Sequence, residues 1–80
     1  MKFFQFLITP GHGYLMADIA DVQRAVRKGA KFSKHSVRKG FVAYLEEDCD
    51  ANEFMRVMKL TNHDLIYTHG DFDHNKWPSI

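Results

Sequence analysis

An 80-residue chain with 45% hydrophobic and 26% charged residues is too apolar for a disordered segment and long enough for one domain. Its 11 Lys and Arg nearly balance its 10 Asp and Glu, so net charge alone selects no class of partner. The single cysteine, Cys49, excludes an internal disulfide, and no apolar run is long enough to span a bilayer.

Phe3 to Ile8 is aromatic and aliphatic and reads as a strand rather than a signal peptide, because Gln5 interrupts the apolar run and Pro10-Gly11 stops it. Thr9-Pro10-Gly11-His12-Gly13 reads as a turn, and Tyr14 to Ala17 as a short optional returning strand. Asp18 is placed to cap a helix in which Ile19, Val22 and Val26 recur at helical spacing and Gly29 ends the run. Lys31 to Val37 and Phe41 to Glu46 read as two strands joined around Arg38-Lys39-Gly40.

Asp48 or Asp50 is placed to cap a second helix, and Asp50 with Glu53 has capping-box spacing. Ala51, Phe54, Val57 and Met58 form its inner stripe, and Asn62-His63 ends it. Leu65 to Thr68 reads as the last strand, and the chain from about residue 70 as a polar tail. The whole chain, 1–80, is expected to form one α+β domain of order β(β)αββαβ. A small antiparallel sheet with two helices on one face suits this order, and a ferredoxin-like arrangement is compatible with it.

Charge is segregated along the chain. Arg24, Arg27, Lys28, Lys31, Lys34, Arg38 and Lys39 follow one another with no acid between them, then Glu46, Glu47, Asp48, Asp50 and Glu53 with no base between them. Most of the acids are expected to serve capping and the dipole of the second helix. The flanking acids also oppose a thiolate at Cys49.

Three functional readings follow. The first strand is apolar on both faces, and two short helices cover only one face of a sheet. The other face is then either covered by the tail through Phe72 and Trp77, or open for self-association or a host partner, with Phe3, Leu7 and Phe41 as interface residues.

The second reading is single-stranded nucleic-acid binding. Gly40, Phe41, Val42 and Tyr44 fit the second half of the RRM signature, with Lys34, Arg38, Lys39 and Phe41 as contacts. Lys39 stands at a stacking-aromatic position, which leaves Phe41 as the only platform.

The third is a small metal- or histidine-dependent hydrolase built from His12, Cys49 and Glu46, with His69, Asp71, Asp73 and His74 as metal-ligand types that match no metal-binding spacing. No cofactor is expected, and no membrane.

Pro10-Gly11-His12-Gly13-Tyr14-Leu15, Ser36-Val37-Arg38-Lys39-Gly40 and Tyr44-Leu45-Glu46-Glu47-Asp48-Cys49-Asp50-Ala51 together resemble a group of small bacteriophage-encoded proteins. In these, a Gly-His-Gly-aromatic-Leu turn precedes a helix, and the acidic octamer follows a Tyr-Arg-Lys-Gly-like hairpin. The resemblance spans about residues 1–60 and departs at Met16-Ala17-Asp18-Ile19, where the group continues with Val-Pro-Leu. It implies a phage origin and a site of action in the cytoplasm of an infected bacterium. It implies no activity and assigns no functional residue.

Overall fold

In the computed structural model, which describes residues 2–80, the strands are β1 (Phe4–Thr9), β2 (His12–Asp18), β3 (Val37–Lys39), β4 (Val42–Glu46) and β5 (Leu65–His69). The helices are α1 (Ile19–Arg27) and α2 (Asp50–Met58), and single 3-10 turns cover Asn62–Asp64 and His74–Lys76. Met1, the first residue of the expected 1–80 domain, lies outside the described residues.

Pro10 and Gly11, the latter at φ 91°, form the two-residue turn that sets β2 directly against β1, with Thr9 opposite His12. β2 is therefore a full strand of seven residues, longer than the optional Tyr14–Ala17 segment expected. Gly13 follows because neighbouring side chains crowd there: a Cβ would sit 2.6 Å from the Phe6 ring and from a Glu47 carboxylate oxygen.

The strand order is β3-β4-β2-β1-β5, which differs from the ferredoxin-like order. The tight β1–β2 hairpin explains the difference, since β4 then pairs with β2 rather than with β1. The sheet is also mixed, not antiparallel. α2 carries the chain back across one face, so β5 starts beside Phe4 and runs parallel to β1, Leu65 opposite Phe4 and His69 opposite Ile8.

Both helices pack on one face, as expected. Phe4, Leu15, Ala17, Ala43, Leu45 and Leu65 point from the sheet into a core completed by Val22 and Ala25 of α1 and by Ala51 and Phe54 of α2. Phe54 is fully buried and meets Phe4 edge-on, 5.3 Å between ring centres.

The stripe of α1 differs from the expected Ile19, Val22, Val26. Val26 is exposed, and Asp21 is turned inward, where Lys2 and Arg24 pair with it. Lys31 to Ser36 is a loop rather than a strand, so β3 has only three residues.

That loop is tied to α2 by a buried carboxylate. Cys49, not Asp48 or Asp50, stands at the N-cap, and Asp50 is the first helical residue. Only 2% exposed, Asp50 accepts hydrogen bonds from Ser33 N (2.9 Å), Ser33 Oγ (2.8 Å) and Ser36 Oγ (2.5 Å). Glu53 accepts from Lys31 N at 2.9 Å rather than closing a capping box. α2 ends at Met58 with Lys59 left-handed, and a capping box forms instead at Thr61 and Asp64, just before β5.

The second sheet face is covered over β2, β3 and β4 by the last ten residues. Phe72 stacks on Tyr44 with ring centres 3.9 Å apart and meets Tyr14 edge-on. Trp77 packs on the same cluster, which includes Val37, and Lys39 Nζ lies 5.1 Å from its ring centre. The chain end then pairs along β3: Arg38 N donates to Pro78 O, Ile80 N to Ser36 O, and Val37 stands opposite Ser79. The reading in which Phe72 and Trp77 partly cover this face describes the structure, with the β5 end left open, and the polar tail is part of the sheet's packing.

Candidate functional site

Two surfaces stand out, a pocket at the meeting of β2, β4 and the C-terminal segment, and the free edge of β5. The pocket, about 560 Å³, is lined by His12, Tyr14, Lys34, His35, Glu46, His74 and Trp77, among others. Each arrives for a local reason. The Pro10-Gly11 turn puts His12 at the start of β2, strand alternation puts Tyr14 on the same face, and β4 pairs Glu46 with Tyr14. The tail lays His74 over them, with its Nδ1 3.2 Å from Tyr14 Oη and its ring centre 5.9 Å from that of His12.

Burial holds the Tyr14 phenol above its ordinary pKa, helped by the negative charges of Glu46, Asp73 and Glu47. Tyr14 is therefore a neutral hydrogen-bonding group at physiological pH.

His12, Glu46 and His74 thus meet in one pocket, as the hydrolase reading requires, while Cys49 does not line it. The thiol lies outside, 3.5 Å from Glu46 Oε2 and 3.7 Å from Ser33 Oγ. The Ser33 hydroxyl pulls the pKa of Cys49 down, but burial, the Asp50 charge and the bond to Glu46 outweigh it and leave the thiol above its ordinary value. That suits a resting thiol rather than a nucleophile. Glu46 Oε2 also accepts from Asp48 N at 3.1 Å, so this carboxylate oxygen is engaged with the start of α2. Among the described residues no histidine ring nitrogen is hydrogen-bonded to a serine, threonine or cysteine, and the nucleophile–base pair of covalent catalysis is not formed.

The metal-ligand types of the tail are dispersed. His69 and Asp71 line a shallow depression with Pro10, Asp73 accepts from Asn75 N to cap the 3-10 turn, and only His74 enters the main pocket. Among the described residues no three His, Cys, Asp or Glu side chains are grouped to hold a metal ion.

The basic candidates are dispersed as well. Lys34 lines the pocket, Lys39 sits over Trp77, and Arg38 Nε donates to Gly40 O. Phe41 is 82% exposed, in the β3–β4 turn rather than on the sheet face where a base-stacking platform would lie.

Of the interface candidates, Leu7 is half-buried beside the tail cluster, while Phe3 is 52% exposed. Phe3 lies at the corner of the sheet where β1 meets β5. There Ile66 and Tyr67 are 54% and 50% exposed, on opposite faces of β5.

β5 has the sequence Leu-Ile-Tyr-Thr-His, without a Lys, Arg, Asp, Glu or Pro. Gly70 N donates to Ile8 O, so Ile66, Thr68 and Gly70 turn their backbone groups toward β1, and Leu65, Tyr67 and His69 turn theirs outward. Leu65 N is satisfied by Asn62 O, and among the described residues nothing bonds Tyr67 N or His69 N.

His35, Tyr14 and Trp77 in the pocket, and Ile66 and Tyr67 on the edge, were not among the sequence candidates. The neutral, proline-free, β-prone run 65–69 was the one readable signal for the edge. Compared with known proteins, the chain matches no family model, no curated protein and no solved structure. No helix among the described residues is long and apolar enough to cross a membrane.

Proposed function

We propose that this chain is a small non-enzymatic protein that works by binding another polypeptide along the free edge of β5. Its resemblance to phage-encoded proteins suggests that it does so in the cytoplasm of an infected bacterium. The observation that carries the reading is the contrast of β5 with ordinary sheet edges. Folded proteins blunt such edges with charge, proline, brevity or a cover, and among the described residues β5 has none of these protections. An extended peptide added there would gain main-chain hydrogen bonds from Tyr67 and His69, and side-chain contacts from Phe3, Ile66 and Tyr67.

The test is a peptide-display selection against the folded chain, counter-selected with an Ile66→Lys variant. Extended sequences whose binding is lost in the variant support the reading. Binding that persists in the variant, or no enrichment at all, contradicts it.

A second reading rests on the pocket. Its Lys34, His12, His35 and His74 surround one opening together with the neutral Tyr14 phenol and with Glu46, one of whose carboxylate oxygens is engaged by Asp48 N and Cys49; the donors outnumber that acid and suit hydrogen-bonding a small anion. Titration with inorganic phosphate, following the histidine ring resonances, tests it: shifts confined to these histidines support it, and unchanged resonances end it.

A further inference from the structure

We infer that the polypeptide bound along β5 is β5 of a second copy, paired antiparallel about a two-fold axis at Tyr67. The inference rests on the edge-binding reading and adds the occupant and the register.

The register follows from which backbone groups are free. In an antiparallel ladder, outward-facing residues of one strand must oppose outward-facing residues of the other. The outward set is Leu65, Tyr67 and His69, which is symmetric about Tyr67. Centring the axis there matches the whole set: Tyr67 faces Tyr67 of the second copy, and Leu65 faces His69 on both sides. Leu65 N is already bonded to Asn62 O, so the pairing uses the groups that remain. Tyr67 N donates to the opposite Tyr67 O, and His69 N to the opposite Leu65 O, each twice. A centre on Ile66 would pair Tyr67 with Leu65 but leave His69 against the Asn62–Asp64 turn, and a centre on Thr68 would pair Tyr67 with His69 but carry Leu65 past the strand end to Asp71; only the centre on Tyr67 keeps all three outward residues opposite one another within the strand.

Side chains and charge agree with the same register. On the helix face the two Tyr67 rings become a cross-strand pair beside Phe6, which already lies 5.5 Å from Tyr67 between ring centres. On the other face the exposed Ile66 meets Thr68 of the second copy, with Phe3 at its flank. The acids flanking β5 are Asp64 and Asp71, and a two-fold at Tyr67 sets Asp64 beside Gly70 and brings the end carrying His63 beside the end carrying Asp71. No acid meets an acid, and an imidazole donor is offered to a carboxylate. The joined sheet would have ten strands, with the tail-closed β3 at both outer edges. An interface of one five-residue strand per copy is small, so a concentration-dependent dimer is expected rather than a permanent one.

The test is disulfide trapping in a Cys49→Ser background, with light scattering over a concentration series. A hydrogen-bonded antiparallel pair sets Cα atoms about 5.5 Å apart, within disulfide reach, whereas diagonal neighbours lie about 7–8 Å apart. Tyr67→Cys alone should give a cross-linked dimer. Ile66→Cys alone should give little, and Ile66→Cys mixed with Thr68→Cys should give the heterodimer. Light scattering on the chain with Tyr67 intact should show mass rising toward two copies, and Ile66→Lys should return it to one. Cross-linking in another register overturns the two-fold at Tyr67. A monomer at every concentration overturns the second copy as occupant, and leaves the wider reading standing only if selected peptides still bind the edge. A dimer unaffected by Ile66→Lys places self-association on another surface and overturns both.

Discussion

At one side of the sheet, β3 is three residues long, carries Arg38 and Lys39, and is closed by Pro78, Ser79 and Ile80 of the same chain. At the other, β5 is five residues long, carries none of these charges, and among the described residues leaves the Tyr67 and His69 N–H groups open. Both are edges, and the backbone chemistry of an unpaired strand is the same in each. The difference lies in where the chain spends its last ten residues. They leave β5 at Gly70, cross the face over Tyr14 and Tyr44, and end on β3. The chain covers one edge at the cost of a long ordered segment and leaves the other bare.

The largest expected effect comes from opening the closed edge. Deleting Trp77–Ile80 removes the indole from its cluster and the partners of Arg38 N and Ser36 O. A loss of about 3 kcal/mol is expected in chemical denaturation, by comparison with large-to-small aromatic deletions. Association should then no longer be abolished by Ile66→Lys, because β3 has become a second open edge.

A somewhat smaller loss, about 2 kcal/mol, is expected for Asp50→Ala, which leaves the buried Ser36 hydroxyl without its acceptor. This should loosen the loop feeding β3 and leave β5 unaffected, so amide exchange should quicken at Ser33 and Glu46 and not at Ile66 or Thr68.

Smaller again is a pH effect on the tail side. Tyr14 has its pKa raised above 10.0 in the fold. Its contribution is fully present below that value, and is lost as the pH rises through the folded pKa. Stability should therefore be flat with respect to this group up to about pH 10 and fall above it, and Tyr14→Phe should remove that part of the fall.

The smallest effect on stability is expected at the open edge: Ile66→Lys should change it by no more than about 0.5 kcal/mol while abolishing association, since the side chain is exposed.

The helix-side half of the molecule was legible in the sequence. Phe4 and Ala51 with Phe54 announce their elements by period, and Pro10-Gly11 announces the hairpin. What sequence reasoning missed depended on pairing between distant segments. The parallel placement of β5 follows from where α2 returns the chain, which no local pattern encodes. The acidic octamer reads as a capping device, yet the Asp50 side chain is spent on Ser33 and Ser36, some fifteen residues upstream. The tail reads as polar because its acids, histidine and lysine outnumber Phe72 and Trp77, although those two rings fix its path. The pocket was half legible. His12, Glu46 and His74 were each singled out, but only the tail's path brings them together, and it leaves Cys49 aside.

The most direct test of the unequal edges is amide hydrogen exchange, residue by residue, in dilute and in concentrated solution. Arg38 N, held by Pro78 O, should be protected in both. Tyr67 N and His69 N should exchange freely when dilute and become protected when concentrated, with Ile66 and Thr68 N–H groups unchanged. Protection of Tyr67 in dilute solution, or its free exchange at the highest concentration, would contradict the account.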